Sequence, residues 1–262
     1  MRSIRLFIVT CLLITGCEEK IDIPISSEET GLLVVEGVLT NENKNHLIRL
    51  SHPYAKQNGT PQPATGASVY VFEDTTISVL TEFPAGSGRY YTPVGRAVSG
   101  KMYTLYIVYN GMQYFARDTP PPVQPLEDLK YWETPEGYTL ILDPSGEDPS
   151  YIEHIISWDN TAACTGFCEA KVVFYDLKTI DVNEIHKPER APFHFPGQSL
   201  VVRKKYSVSP AYKTFLRSML SETDWRGGVF DVQRSDVSTN LSTGAVGFFA
   251  VCSVVSDSTV VE

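Results

Sequence analysis

From Leu32 onward, short apolar runs are cut every few residues by Gly, Pro, Asn and Asp, and this punctuation limits the fold more than any other feature. A helix needs an apolar stripe recurring every three or four residues over at least three turns, whereas a half-buried strand needs only a short alternating run. The runs LLVVEGVLT (32–40), HLIRLS (46–51), ASVYVFED (67–74), SGRYYTPV (87–94), KMYTLYIVY (101–109) and MQYFAR (112–117) are strand candidates, although 32–40, rich in Val and Leu, alternates poorly and 46–51 only in part. In 67–74, Val69 and Val71 fall on one side and Tyr70 and Phe72 on the other. Asn41-Glu42-Asn43 closes the first run, and Asn110-Gly111 stands between the last two. Asn-Gly between apolar runs is the strongest short-range hairpin signal, because both residues tolerate positive φ. The 17 Pro and 18 Gly agree with many turns and few long helices. Residues 32–118 are therefore expected to form a β-sandwich of six or seven short strands.

At 119–125 the chain reads TPPPVQP. Consecutive prolines fix φ and remove donors, so the segment is expected as an extended linker between two modules, with a Pro-rich loop inside one domain as the alternative. The second module, 126–262, contains LEDLKYWE and the strand candidates 138–144, 151–159, 170–176, 199–208 and 245–255. One segment breaks the β pattern. Ser209 precedes Pro210 as an N-cap precedes the first helical residue, and Tyr212, Phe215, Leu216, Met219 and Leu220 then make one apolar stripe. A helix over about 210–222 is predicted, ending near Asp224 with Gly227-Gly228 beyond, its stripe packed on the β core. The fold class read from the sequence is all-β with one helix: an N-terminal Ig-like β-sandwich followed by a second β-rich, sandwich-like domain.

The first sixteen residues read as a lipoprotein signal peptide. Arg2 and Arg5 precede an apolar stretch, Leu6 to Ile14, interrupted by Thr10. It is too short to cross a hydrocarbon core of about 30 Å, which takes about 20 helical residues. It ends in Ile14-Thr15-Gly16-Cys17, which resembles a lipobox, so Cys17 is expected to carry the lipid at the mature N-terminus. An ordinary secretory signal with a chance cysteine is the alternative. Two or more acyl chains hold a protein stably where one does not. Glu18 and Glu19 follow, resembling the signal that sends lipoproteins of the Bacteroidota to the cell surface, with a periplasm-facing anchor as the alternative, and 17–31 reads as a polar tether.

With Arg2 and Arg5 removed, 20 basic residues face 31 acidic ones, a formal charge of −11. That charge opposes nucleic acid and anionic head groups. No nucleic-acid partner is expected, and the membrane is reached through the anchor.

Three cysteines remain beyond the leader and Cys17. Cys164 and Cys168 flank Gly166 in a short loop and are the disulfide candidate, since thiols outside the cytoplasm tend to pair. Cys252, in an apolar run, reads as a buried small hydrophobe, with pairing to one of the other two left open. His46, His52, His154, His186 and His194 form no HExxH or His-x₃-His motif; His186 and His194 lie near Glu184 and Glu189 in a Pro-rich loop and read as solvated rather than as metal ligands. The acidic stretches 143–150 and 235–240 lack EF-hand spacing and read as turns. No nucleophile elbow, P-loop or dinucleotide fingerprint is present. No catalytic residues, metal or cofactor beyond the covalent lipid on Cys17 are expected, and the chain is read as a non-enzyme. The aromatics of 89–114 and Tyr131-Trp132 are expected mostly in the core, some in an exposed binding patch.

Two stretches carry a family resemblance. "CEEKIDIPISSEETGLLVVEGVLTNE" with "GASVYVFED" and "YTLYIVYNG", and later "RKKYSVSPAYKTFLRSM" with "GGVFDVQRSDVSTNLSTG" and "AVGFFAVCSV", resemble the Bacteroidota lipoprotein family known as domain of unknown function 4249. The likeness spans nearly the whole mature chain. Thr239-Asn240 stands where the family usually has Gly-Asn, and the middle is short. The resemblance implies a transthyretin-type N-terminal sandwich and a surface or periplasmic lipoprotein of the kind typically encoded beside a TonB-dependent outer-membrane receptor, with no biochemical role assigned; from it an accessory to such a receptor is expected. It implies no catalytic residues. A free-standing surface module binding glycan or peptide, or an adhesin, is the alternative.

Overall fold

The computed structural model describes residues 31–54, 59–144, 146–161, 164–228 and 237–262. The leader and Cys17 lie outside the described residues. So does part of the acidic stretch at 235–240.

The first eight strands are β1 (Leu33–Thr40), β2 (Leu47–Ser51), β3 (Ser68–Glu73), β4 (Thr76–Val79), β5 (Thr81–Glu82), β6 (Arg89–Tyr91), β7 (Tyr103–Tyr109) and β8 (Met112–Asp118). Two sheets face each other, one containing β1-β2-β6-β5 in that order and one ordered β4-β3-β7-β8. Alternation directs the packing: in β1, Leu33 and Val35 are buried while Glu36 is exposed. Leu33, Val35, Ile48 and Leu50 meet Val69, Val71, Leu105 and Ile107 in one apolar core. The β7–β8 turn is the hairpin expected at Asn110-Gly111, with φ of 50° and 77° at those residues. Strands β4 and β5, which join different sheets, were not foreseen. Their residues are mostly exposed, so neither strand leaves a strong hydrophobic pattern in the sequence.

The remaining elements are β9 (Tyr131–Thr134), β10 (Gly137–Leu140), β11 (Ser150–Thr161), β12 (Cys164–Asp176), α1 (Val182–Ile185), β13 (Leu200–Ser207), α2 (Pro210–Glu222), β14 (Ala245–Cys252) and β15 (Val254–Val260). A four-stranded antiparallel sheet runs β12-β11-β13-β15. On one face, Tyr151, Tyr206 and Val254 pack with Tyr212, Leu216 and Leu220 of α2. The helix begins as expected: the Ser209 side chain accepts a hydrogen bond from Tyr212 N at 3.2 Å, and Pro210 occupies the first turn. On the other face, Ile156 and Val201 pack with Tyr131, Tyr138 and Leu140 of the β9–β10 hairpin. The Pro-rich segment lies along this module too: Pro122, Val123 and Gln124 stand beside Ser150, Lys205 and Ser207. The fold is mostly β, with sheets in layers and few helices.

The run 245–255 was expected as one strand of the second module. It is two strands, and they belong to different sheets. β14 pairs in parallel with β1 over its whole length, Leu33 beside Ala245 through Thr40 beside Cys252, while β15 pairs antiparallel with β13. Phe249 and Val251 thus lie in the core of the first module, and Phe248 and Cys252 in that of the second. A parallel partner for β1 carries no local turn signal, which is why the boundary at 119–125 does not divide the sheets.

Candidate functional site

The β11–β12 hairpin is longer than its neighbours. β13 accompanies it only from Ser150 to Ser157, so the hairpin runs past the sheet: Trp158 pairs with Cys168, and Asp159 with Phe167. At its end Cys164 and Cys168 are joined through their sulfurs, with their Cα atoms 6.2 Å apart. Gly166 sits between them at a φ of 116°, a conformation that suits glycine. Phe167 is 69% exposed on this projecting tip.

At the root of the hairpin a groove of about 540 Å³ separates β12 from the loop that follows it. Val172, Val173 and Phe174 form one wall; Pro188, Pro192 and Phe193 contribute to the other. Leu140 and Ile156 line it as well. Phe193 leans against Trp158 and Phe195, with ring centroids 6.1 and 6.4 Å away.

The far wall is held in place. The Asp181 side chain caps α1 by accepting from Asn183 N at 3.0 Å, and it also accepts from Arg217 Nε of α2 at 2.7 Å. Arg190 pairs with Asp224 just beyond α2. Gly228 packs so closely on the His186 carbonyl that an added Cβ would lie 2.2 Å from its oxygen. The loop is thus tied to α2 by the part-buried Asp181–Arg217 pair and, just beyond α2, by the exposed Arg190–Asp224 pair.

Glu184 lies at this groove half-buried, accepting from Thr179 Oγ1 at 3.1 Å. Burial pushes its carboxyl above the usual range, and Asp181 and Asp176 push in the same direction, against Thr179 and Lys187. Glu189, Lys187, Arg190 and Asp224 complete the charged lining. The surface that results is apolar along its length and charged at its rim.

The other residues singled out from the sequence are scattered. Cys252 is fully buried with a free thiol, and burial pushes its pKa up. His46 Nε2 lies 3.1 Å from Thr40 Oγ1, and His52 Nε2 lies 3.0 Å from the Tyr109 hydroxyl. His154 is buried in the second sheet, and His194 stands 3.8 Å from Glu136. No group of three His, Cys, Asp or Glu side chains suited to a metal occurs among the described residues. In the acidic stretches, Asp143 and Asp148 contact Lys130 and Gln124, and the Asn240 side chain bonds to both the N–H and the C=O of Phe249. Among the described residues no helix is long and apolar enough to cross a membrane.

The groove residues went unread in the sequence. KPERAPFHFPG has the composition of a solvated loop, and nothing in it indicates that it will face Val172–Phe174. The one local signal was the density of Pro and Phe between 188 and 196.

Fold and site together describe a mostly-β protein whose second sheet has a groove along its β12 edge. The chain belongs to the family described as domain of unknown function, DUF4249, whose model matches residues 18–258. A search among curated proteins finds no match.

Proposed function

We propose that this chain is a lipid-anchored, surface-exposed, non-enzymatic lipoprotein of the outer membrane that serves as an accessory to a TonB-dependent receptor, contacting the barrel or its ligand. The observation that carries the reading is Ile14-Thr15-Gly16-Cys17 followed by Glu18-Glu19: a cleavable leader ending at an acylatable cysteine, then an acidic surface signal. The mature body is acidic, so the anchor rather than head-group attraction holds it at the membrane. The projecting hairpin tip with exposed Phe167 supplies a contact surface for a partner, as exposed aromatics commonly do. At the groove, Asp224 is engaged by Arg190 and Glu184 by Thr179.

The test is capture of the chain by antibody from membranes solubilised in mild detergent. A β-barrel receptor is expected to accompany it, and the N-terminal peptide is expected to carry acyl groups on Cys17. Recovery of the chain without a barrel defeats the receptor role, and an unmodified Cys17 thiol defeats the anchor. The groove favours one part of the alternative reading, a surface module that binds peptide.

A further inference from the structure

Among the described residues β12 is an edge strand: within its sheet its neighbour is β11. Successive side chains of a strand point to opposite faces. The register places Val172 and Phe174 on the face shared with His154 and Ile152, and Val173 on the face shared with Glu153. Yet Val172, Val173 and Phe174 all line the same groove. Three consecutive strand residues have only the strand's edge in common, so the groove exposes the main chain of β12 along with flanking side chains. In an edge strand, alternate residues direct N–H and C=O away from the sheet, ready to pair with another extended segment.

The opposite wall explains why this edge, rather than the others in the fold, is a site. It is fastened to α2 through Asp181–Arg217 and Arg190–Asp224, so a segment entering the groove meets a fixed surface on its second side. Pro188, Pro192 and Phe193 make that surface apolar, and prolines there bring no N–H of their own to compete for the strand edge. Glu184 adds a carboxylate at the groove, with the Lys187 cation and, more weakly, the Asp181 and Asp176 carboxylates acting on it.

We infer that this groove binds an extended peptide, which adds as a strand to the edge of β12, places alternate apolar side chains against Pro192 and Phe193, and sets a Lys or Arg beside Glu184. Main-chain pairing supplies affinity that is tolerant of sequence, and the apolar wall and the carboxylate supply selectivity. At a rise of about 3.3 Å per residue, the Val172–Phe174 wall matches a peptide segment of similar length. The inference holds for the chain alone and stands apart from the receptor role, since it needs no barrel.

The experiment is fluorescence anisotropy with the full chain in detergent and a labelled synthetic heptapeptide of alternating Val and Thr ending in Lys. Saturable binding is expected. Methylating alternate amide nitrogens of the probe removes the strand-pairing donors and is expected to weaken binding about tenfold or more. Replacing the terminal Lys of the probe by Glu is expected to weaken it about fivefold. In E184Q, shown to be folded by an unchanged melting temperature, that preference for Lys should vanish while binding of the alternating peptide persists. Absence of saturable binding, equal affinity for the methylated probe, or an undiminished Lys preference in E184Q each overturns the inference.

Discussion

His154 is 4% exposed on the second sheet, and its Nδ1 has no hydrogen-bond partner among the described residues. Burial disfavours the charged ring, and Arg203 adds to that effect; together they outweigh Val172 and Asp257 and lower its pKa from 6.5 to about 4. His46, also buried, is lowered to about 4 as well, by burial and by Lys44. A folded pKa below the unfolded one means that the unfolded chain takes up protons first as the solution is acidified. The stability these two neutral rings allow is therefore complete above pH 6.5 and is lost as pH falls from 6.5 towards 4. Thermal denaturation at a series of pH values should show a falling melting temperature across that window, at roughly 1 kcal/mol per pH unit for each histidine. His154→Gln should make the slope shallower. An identical slope in the variant would show that His154 is not the residue responsible. Neither histidine was distinguishable in the sequence from one on the surface, because burial is set by residues distant in the chain. The positive φ at Asn110-Gly111 and Gly166, by contrast, is a property of those residues themselves and was legible from their identity.

Among the elements, α2 shows how far local chemistry reaches. Its cap, its first-turn proline and its stripe all appear in the sequence, and the structure buries Tyr212, Leu216 and Leu220 of that stripe. What the stripe meets was not legible: it is a layer of tyrosines, with Tyr151 stacked on Tyr206 at 4.5 Å and edge-on to Tyr212 at 6.3 Å. Leu216 is 3% exposed in this layer, so Leu216→Ala leaves a cavity between helix and sheet. The expected loss is about 2–5 kcal/mol, read from urea denaturation of the variant beside the parent chain. A change below about 0.5 kcal/mol would place Leu216 outside the core. β11 was legible over 151–159, nearly its whole length, but β12 only over 170–176, since its outer part, including Glu169, lacks an apolar run.

In the whole molecule, two apparent modules share one stretch of chain. β14 lies in the first sheet and β15 in the second, with Ser253 between them, and Ser253 O accepts from Ser207 N of β13 at 2.9 Å. Glu42, in the turn after β1, receives Lys204 Nζ of β13 at 2.6 Å as well as Lys44. Burial opposes the Glu42 charge, but the two lysines outweigh it and hold the carboxyl at about 2. A fragment covering 31–125 would lose the whole of β14 and leave β1 as a bare edge. Phe249 and Val251, each fully buried in the first core, go with it. Burying each such side chain is worth about 1.5–3 kcal/mol, and a domain's net stability is only about 5–15 kcal/mol. The fragment is therefore expected not to fold alone, and to gain amide protection only when the 126–262 piece is added. Independent folding, seen as dispersed amide resonances from the fragment by itself, would show that the first sandwich does not depend on β14.

Within the sequence alone lay the residue-level and element-level facts: which runs alternate, where the Asn-Gly turn falls, where Ser209-Pro210 starts a helix, and that the fold is mostly β. Each depends on dihedral preference or on periodicity within a few neighbouring residues, so the sequence determined it without reference to the rest of the chain. Tertiary structure alone decided that Ala245–Cys252 lies beside Leu33–Thr40, and that the 184–193 loop faces the edge of β12. The physical reason is common to both. A strand's pattern states which of its faces is apolar, but its edge hydrogen-bonding groups are alike in every strand, so the partner is chosen by how the whole chain packs.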